Sequence, residues 1–104
     1  MIDRHELHER LNELTLVDTQ QPNAFRRRHL PNAVNISADR ASALAPVLLP
    51  DLEAEIVVYC GSWLCRTADR VARELRRLGY VNVRIYRGGC ADWRLNSLPL
   101  VQSI

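Results

Sequence analysis

Apolar residues recur along this chain with two periods, and their alternation sets an order of elements. Leu7, Leu11 and Leu14 fall at helical spacing behind Asp3, and Glu6 completes a capping box, which predicts an amphipathic first helix. Residues 14–18 read as a short strand. Pro22 suits the first turn of a short helix carrying Phe25, and Leu30-Pro31-Asn32 turns the chain into a second strand at 33–36. Residues 39–44 predict one or two helical turns, broken by Pro46 and Pro50. Residues 55–59 are apolar and β-branched enough for a strand buried on both faces, as in a parallel sheet. Ala68, Val71, Ala72, Leu75 and Leu78 return to helical spacing, with Gly79 placed as a C-terminal cap. A fourth strand at 81–86 follows. Gly88-Gly89 opens a last short helix through Trp93, and residues 98–101 predict a final edge strand, where Pro99 is tolerated.

Strands alternating with helices define an α/β class, whose ligand site lies beyond the carboxyl ends of the strands. The 104 residues suffice for one domain, residues 1–104, without linker, repeat or low-complexity segment. With 47% hydrophobic and 25% charged residues, the composition is that of an ordinary soluble globular protein, so a packed core is expected. A formal charge of +2 argues against nucleic acid as a partner, although all 14 basic residues are arginine. No apolar stretch approaches the roughly 20 residues that span a bilayer. Met1-Ile2-Asp3-Arg4-His5-Glu6 does not open a signal peptide, so no membrane association and a cytoplasmic location are expected. Three cysteines without an export signal do not make a disulfide framework, and no pair has the spacing of a zinc knuckle, so no metal is expected.

Chemistry concentrates in YCGSWLCRTA, residues 59–68, between the third strand and the helix that follows. A loop leaving a strand and entering a helix turns its amides inward, and the helix adds a positive end. Such a cradle holds an anion, and a cysteine at its base is favoured as thiolate, the nucleophilic form. Cys60 holds that position, with Gly61, Ser62, Trp63, Leu64, Cys65 and Arg66 forming the loop. Lowering a thiol pKa from about 8.5 to about 6.5 takes about 2.7 kcal/mol. A helix terminus supplies only about 0.3–1 kcal/mol, so the loop amides and the Arg66 guanidinium are expected to supply the remainder. Cys65 is either an ordinary helix-entry residue or a resolving thiol for an oxidised or persulfidated Cys60. The second role requires the loop to curl until the two Cα atoms lie within about 7 Å. Trp63 either walls the pocket or covers neighbouring apolar surface, and Cys90 reads as a packed small residue.

These residues resemble the single-domain rhodaneses, a family of sulfurtransferases. Leu16-Val17-Asp18, Phe25, His29-Leu30-Pro31-Asn32-Ala33 and Asn35-Ile36 are similar to its first signature. Val58-Tyr59-Cys60 with loop and helix is similar to its active-site segment, and Leu78-Gly79-Tyr80, Val83, Tyr86, Gly88-Gly89 and Trp93 complete the pattern. The resemblance spans residues 14–101. It implies a three-layer sandwich with a small, mainly parallel central sheet flanked by helices. It also implies attack by Cys60 on a small anionic sulfur donor such as thiosulfate, a Cys60 persulfide, and transfer to a thiol or protein acceptor. No cofactor is implied, and the expected state is a monomer or weak dimer. The departures are local. Gln20 and Gln21 stand where the family commonly has an arginine and an acid, and Asn32 replaces a turn glycine. The loop carries Cys65 at position five and its arginine at six. That C-x5-R spacing is similar to related phosphatases and arsenate reductases, although no acid lies inside the loop to protonate a leaving group. The C-x4-C pair keeps open a non-turnover sulfur carrier or a redox sensor using a Cys60–Cys65 disulfide.

Around the loop, Asp18 is expected to order backbone, and His29 to hold the turn before the second strand. Arg26-Arg27-Arg28 either faces solvent or attracts an anionic donor or acidic partner, and Arg87 is placed to add positive potential at the mouth.

Overall fold

A computed structural model describes residues 1–103. Helix α1 (Arg4–Glu9) starts where the capping box places it, the Asp3 carboxylate accepting from the Glu6 amide at 2.9 Å. It ends earlier than its apolar spacing predicts. The Glu13 and Leu14 amides turn back onto the Arg10 carbonyl, which frees the chain to enter β1 (Thr15–Asp18) while Leu14 stays buried. Helix α2 (Pro22–Arg27) has its proline at the first turn, and β2 (Val34–Asn35) follows a turn in which Asn32 takes a left-handed φ of 68°.

A 3-10 turn (Ala38–Arg40) leads into α3 (Ala41–Leu48), which runs through Pro46 instead of breaking there. Pro46 is exposed, and the carbonyl it fails to pair belongs to Ser42, also exposed, so the lost bond lies on the solvent-facing side of the helix. Strand β3 (Ile56–Tyr59) is buried along its whole length, as its unbroken apolar run requires. Helix α4 (Thr67–Arg77) buries Ala68, Val71, Ala72 and Leu75. It closes with Gly79 at φ 106°, where Tyr80 N–H donates to Leu75 C=O and Gly79 N–H to Arg76 C=O. Strand β4 (Val83–Tyr86) and α5 (Gly89–Leu95) complete the order.

The four strands are all parallel in the order β2-β1-β3-β4, with Asp18, Tyr59 and Tyr86 in one register row. Residues 98–101 do not join this sheet. Ser97 at φ 60° and Pro99, which has no N–H to give, leave only Val101 to pair, in an isolated antiparallel bridge with His29. The alternation along β3 builds three layers. Ile56, Val58 and Cys60 face one apolar cluster with α3 and α4. Val57 and Tyr59 face the other, with α1, α5 and the fully buried Trp93. Among the described residues no helix is long and apolar enough to cross a membrane.

Candidate active site

Cys60 follows the last residue of β3, on the α4 side of the sheet, only 6% exposed. Its backbone is fixed from the neighbouring junction. The Cys60 and Gly61 carbonyls accept from the Cys90 and Ala91 amides, at 3.1 and 2.9 Å. Gly89 sits at φ 59°, where any Cβ would collide with the Cys60 carbonyl oxygen. A glycine is therefore needed there for the two strand ends to meet.

The loop then curls. The Cys65 amide donates to the Ser62 carbonyl at 3.2 Å, a turn that brings the Cα atoms of Cys60 and Cys65 to 6.2 Å, and the two sulfurs form a disulfide. Among the described residues no backbone carbonyl engages the amides of Gly61, Ser62, Trp63 or Leu64, so these donors remain available to an anion. A cavity of about 320 Å³ opens before the pair, walled by Thr19, Gln20, Ala24, Gly61 and Ser62.

Three predicted loop residues stay out of that wall. Arg66 is turned away: it is the residue that caps α4, its side chain is 72% exposed, and it faces Asp69 at 3.9 Å. It does not line the cavity before the Cys60–Cys65 pair as the C-x5-R spacing suggested. Trp63 and Leu64 are both exposed. Trp63 instead borders a second surface depression with Arg87. Arg87 is committed to Asp69 through two bonds of 2.6 and 2.8 Å, and this pairing holds the Asp69 carboxyl below the usual carboxylate range.

Thr67 is the residue the sequence reading missed. Its Oγ1 lies 2.8 Å from the Cys60 sulfur and 2.7 Å from the Cys65 sulfur, so one hydroxyl serves both. The available signal was a hydroxyl residue at the first position of the helix behind the loop. With Arg66 outside, the polar groups nearest the Cys60 sulfur are Thr67 and the loop at the start of α4.

Asp18 is completely buried and takes the Gln20 amide at 2.8 Å and the Gln20 side chain at 2.9 Å. Burial raises its carboxyl above the ordinary range, against hydrogen bonds from Tyr59 and Gln20. Gln20 also reaches the Arg28 carbonyl at 3.2 Å, so a neutral amide ties the end of β1 to the end of α2 where the family commonly has an arginine. His29 is stacked on Phe25 at 3.8 Å with Nδ1 2.7 Å from the Phe25 carbonyl, outside the Cys60 cavity. Cys90 faces the opposite layer, where burial and then the nearby Asp18 charge push its thiol up to about 12.

The site is thus a parallel α/β sheet with a cysteine at its carboxyl edge, a curled loop and a helix behind it. The rhodanese-like domain model matches residues 3–96, and the chain belongs to that family. It is 34% identical over 89 residues to the HTH-type transcriptional regulator Rv0324 of Mycobacterium tuberculosis, covering 85% of this chain and 38% of that protein. It is 30% identical over 82 residues to the adenylyltransferase and sulfurtransferase UBA4 of Candida albicans, covering 75% of this chain and 19% of that protein. The chain thus spans well under half the length of either. Among solved structures, the thiosulfate sulfurtransferase of Pseudomonas aeruginosa superposes with a TM-score of 0.87 at 25% identity, over 99% of this chain and 20% of that one. A rhodanese with anions from E. coli superposes with a TM-score of 0.71 at 24% identity, over 86% of this chain and 98% of that one.

Proposed function

We propose that the chain is a sulfurtransferase that carries sulfane sulfur on Cys60. The observation that carries this reading is Cys60 at the carboxyl end of the central strand, facing a cavity of about 320 Å³ and followed by loop amides that no backbone carbonyl occupies. The names of the relatives support it, since two of them are called sulfurtransferases.

The working form is the dithiol, reached by thiol reduction of the Cys60–Cys65 bridge. The Cys60 thiolate attacks the outer sulfur of thiosulfate, the donor's S–S bond breaks, and sulfite leaves with the electron pair. The outer sulfur of the resulting persulfide sits among the loop amides, with Thr67 donating to the inner one. A thiolate or cyanide acceptor then takes the outer sulfur and returns Cys60 as thiolate. Cyanide-dependent thiocyanate formation by the reduced protein tests this, with Cys60→Ser expected at background. Turnover retained in that variant removes Cys60 from the chemistry.

The bridge itself favours a second reading, a sulfur carrier or redox sensor that does not turn over rapidly. Mild oxidation that forms the bridge stoichiometrically, together with negligible cyanide turnover of the dithiol, selects this reading. Phosphatase and arsenate reductase chemistry lose their main support with Arg66 turned to solvent.

A further inference from the structure

The segment that follows α5 leaves part of its backbone unpaired. Val101 exchanges both of its backbone bonds with His29, at 2.8 and 3.0 Å, and the Ser103 amide donates to the Arg26 carbonyl at 2.9 Å. Alternate residues of an extended chain turn their amides and carbonyls to the same side, so those of Leu100 and Gln102 point away from His29. Among the described residues no backbone partner takes them. They form a free strand edge, a template for another extended chain. The same two residues, with Leu98 and Val101, line a surface depression of about 450 Å³ whose other wall is Arg27 and Arg28 from α2 and Arg94 from α5. None of these residues lines the cavity before Cys60.

No acidic residue lines the depression, and among the described residues its three guanidiniums meet no carboxylate within ion-pair distance. On α4, by contrast, Arg77 lines a depression beside Glu74 and pairs it. Uncompensated like charges on a concave surface repel one another and attract a multivalent anion. Leu98 and Leu100, packed onto the α5 side of the core, give the same wall an apolar part. An occupant that meets all three features carries several negative charges, some apolar surface and a backbone able to pair with a strand edge. A small anion has no such backbone, and a nucleic acid offers no peptide N–H and C=O. An extended acidic polypeptide has all three.

We propose that this depression docks an extended acidic segment of a partner polypeptide, which pairs its backbone with Leu100 and Gln102 and sets its carboxylates against Arg27, Arg28 and Arg94. The docking site goes beyond the sulfurtransferase reading and does not depend on it, because Cys60 and its loop take no part.

Fluorescence anisotropy of a labelled hexapeptide of alternating glutamate and valine, blocked at both ends, tests the docking on the whole chain. Binding should weaken with salt and fall about tenfold in Arg28→Gln/Arg94→Gln, the scale expected for two exposed charge pairs. Arg70→Gln/Arg73→Gln, which removes the same charge from another face, should bind as the parent does. The peptide with glutamine in place of glutamate should bind far more weakly. So should one N-methylated along its backbone, which keeps every charge but has no N–H to pair. No binding, equal loss in both double variants, equal affinity for the N-methylated peptide, or equal affinity for a six-nucleotide DNA strand overturns the proposal. A parent protein that dimerises through this face, with the dimer lost in Arg28→Gln/Arg94→Gln, assigns the depression to a second copy and overturns it as well.

Discussion

Two strand-to-helix junctions lie side by side at the carboxyl edge of the sheet, and each carries a cysteine that is 6% exposed. After β3, Cys60 faces the α4 layer, a cavity, a hydroxyl and a turn that brings a second sulfur to it. After β4, Cys90 faces the α5 layer, where burial and the Asp18 charge hold it as a neutral thiol. Equal exposure therefore says nothing about reactivity; what surrounds the sulfur decides it. The second junction also serves the first, because the Cys90 and Ala91 amides hold the Cys60 and Gly61 carbonyls in place.

The sharpest break of this comparison is at the two cysteines themselves. Cys60→Ser should lose persulfide formation completely, and Cys65→Ser should keep most of it while losing the bridge. A strong loss of turnover in Cys65→Ser contradicts a single-nucleophile mechanism. Next in size is the contact that joins the junctions. Gly89→Ala forces a side chain into a left-handed conformation against the Cys60 carbonyl, and should cost about 3 kcal/mol in urea unfolding. A loss below about 1 kcal/mol means that the two junctions are not locked together.

Thr67→Val should raise the Cys60 thiol pKa by about one unit, read from alkylation rate against pH, and Thr67→Ser should restore it. Coincident profiles for all three proteins remove the hydroxyl from the account. Cys90 should resist iodoacetamide at about pH 8 while the reduced Cys60 reacts, since its raised pKa keeps it protonated there. Labelling of both at one rate erases the distinction between them. The smallest effect concerns Asp69 and Arg87. The folded carboxyl lies below its unfolded value, so the pair stabilises at neutral pH, and the contribution disappears as pH falls through the folded value. Arg87→Ala should cost about 0.5 kcal/mol at pH 7 and nothing in strong acid.

The same junctions mark how far the sequence could be read. The order of strands and helices, the Gly79 cap and the place of Cys60 at a strand end follow from local patterns of burial period and capping, which act within a few residues. Strand 98–101 does not follow, because Pro99 and Ser97 leave one residue to pair and only the fold shows that His29 is its partner. Pro46 stays inside its helix because the face it occupies is wet, a tertiary fact. At the site, spacing alone suggested Arg66 as the cradle's cation, but spacing does not give side-chain direction: Arg66 is turned outward and Thr67 reaches the sulfurs. The convergence of Arg27 and Arg28 with Arg94 joins residues more than sixty apart in sequence, so no local pattern announces it.

The central claim is that Cys60 alone carries sulfur, and peptide masses recorded under non-reducing conditions after thiosulfate treatment of the reduced protein test it most directly. The account predicts one added sulfur, about 32 mass units, on the peptide containing Cys60 and none on that containing Cys90. Sulfur on Cys90, or no mass gain on any cysteine of a fully reduced protein, contradicts it.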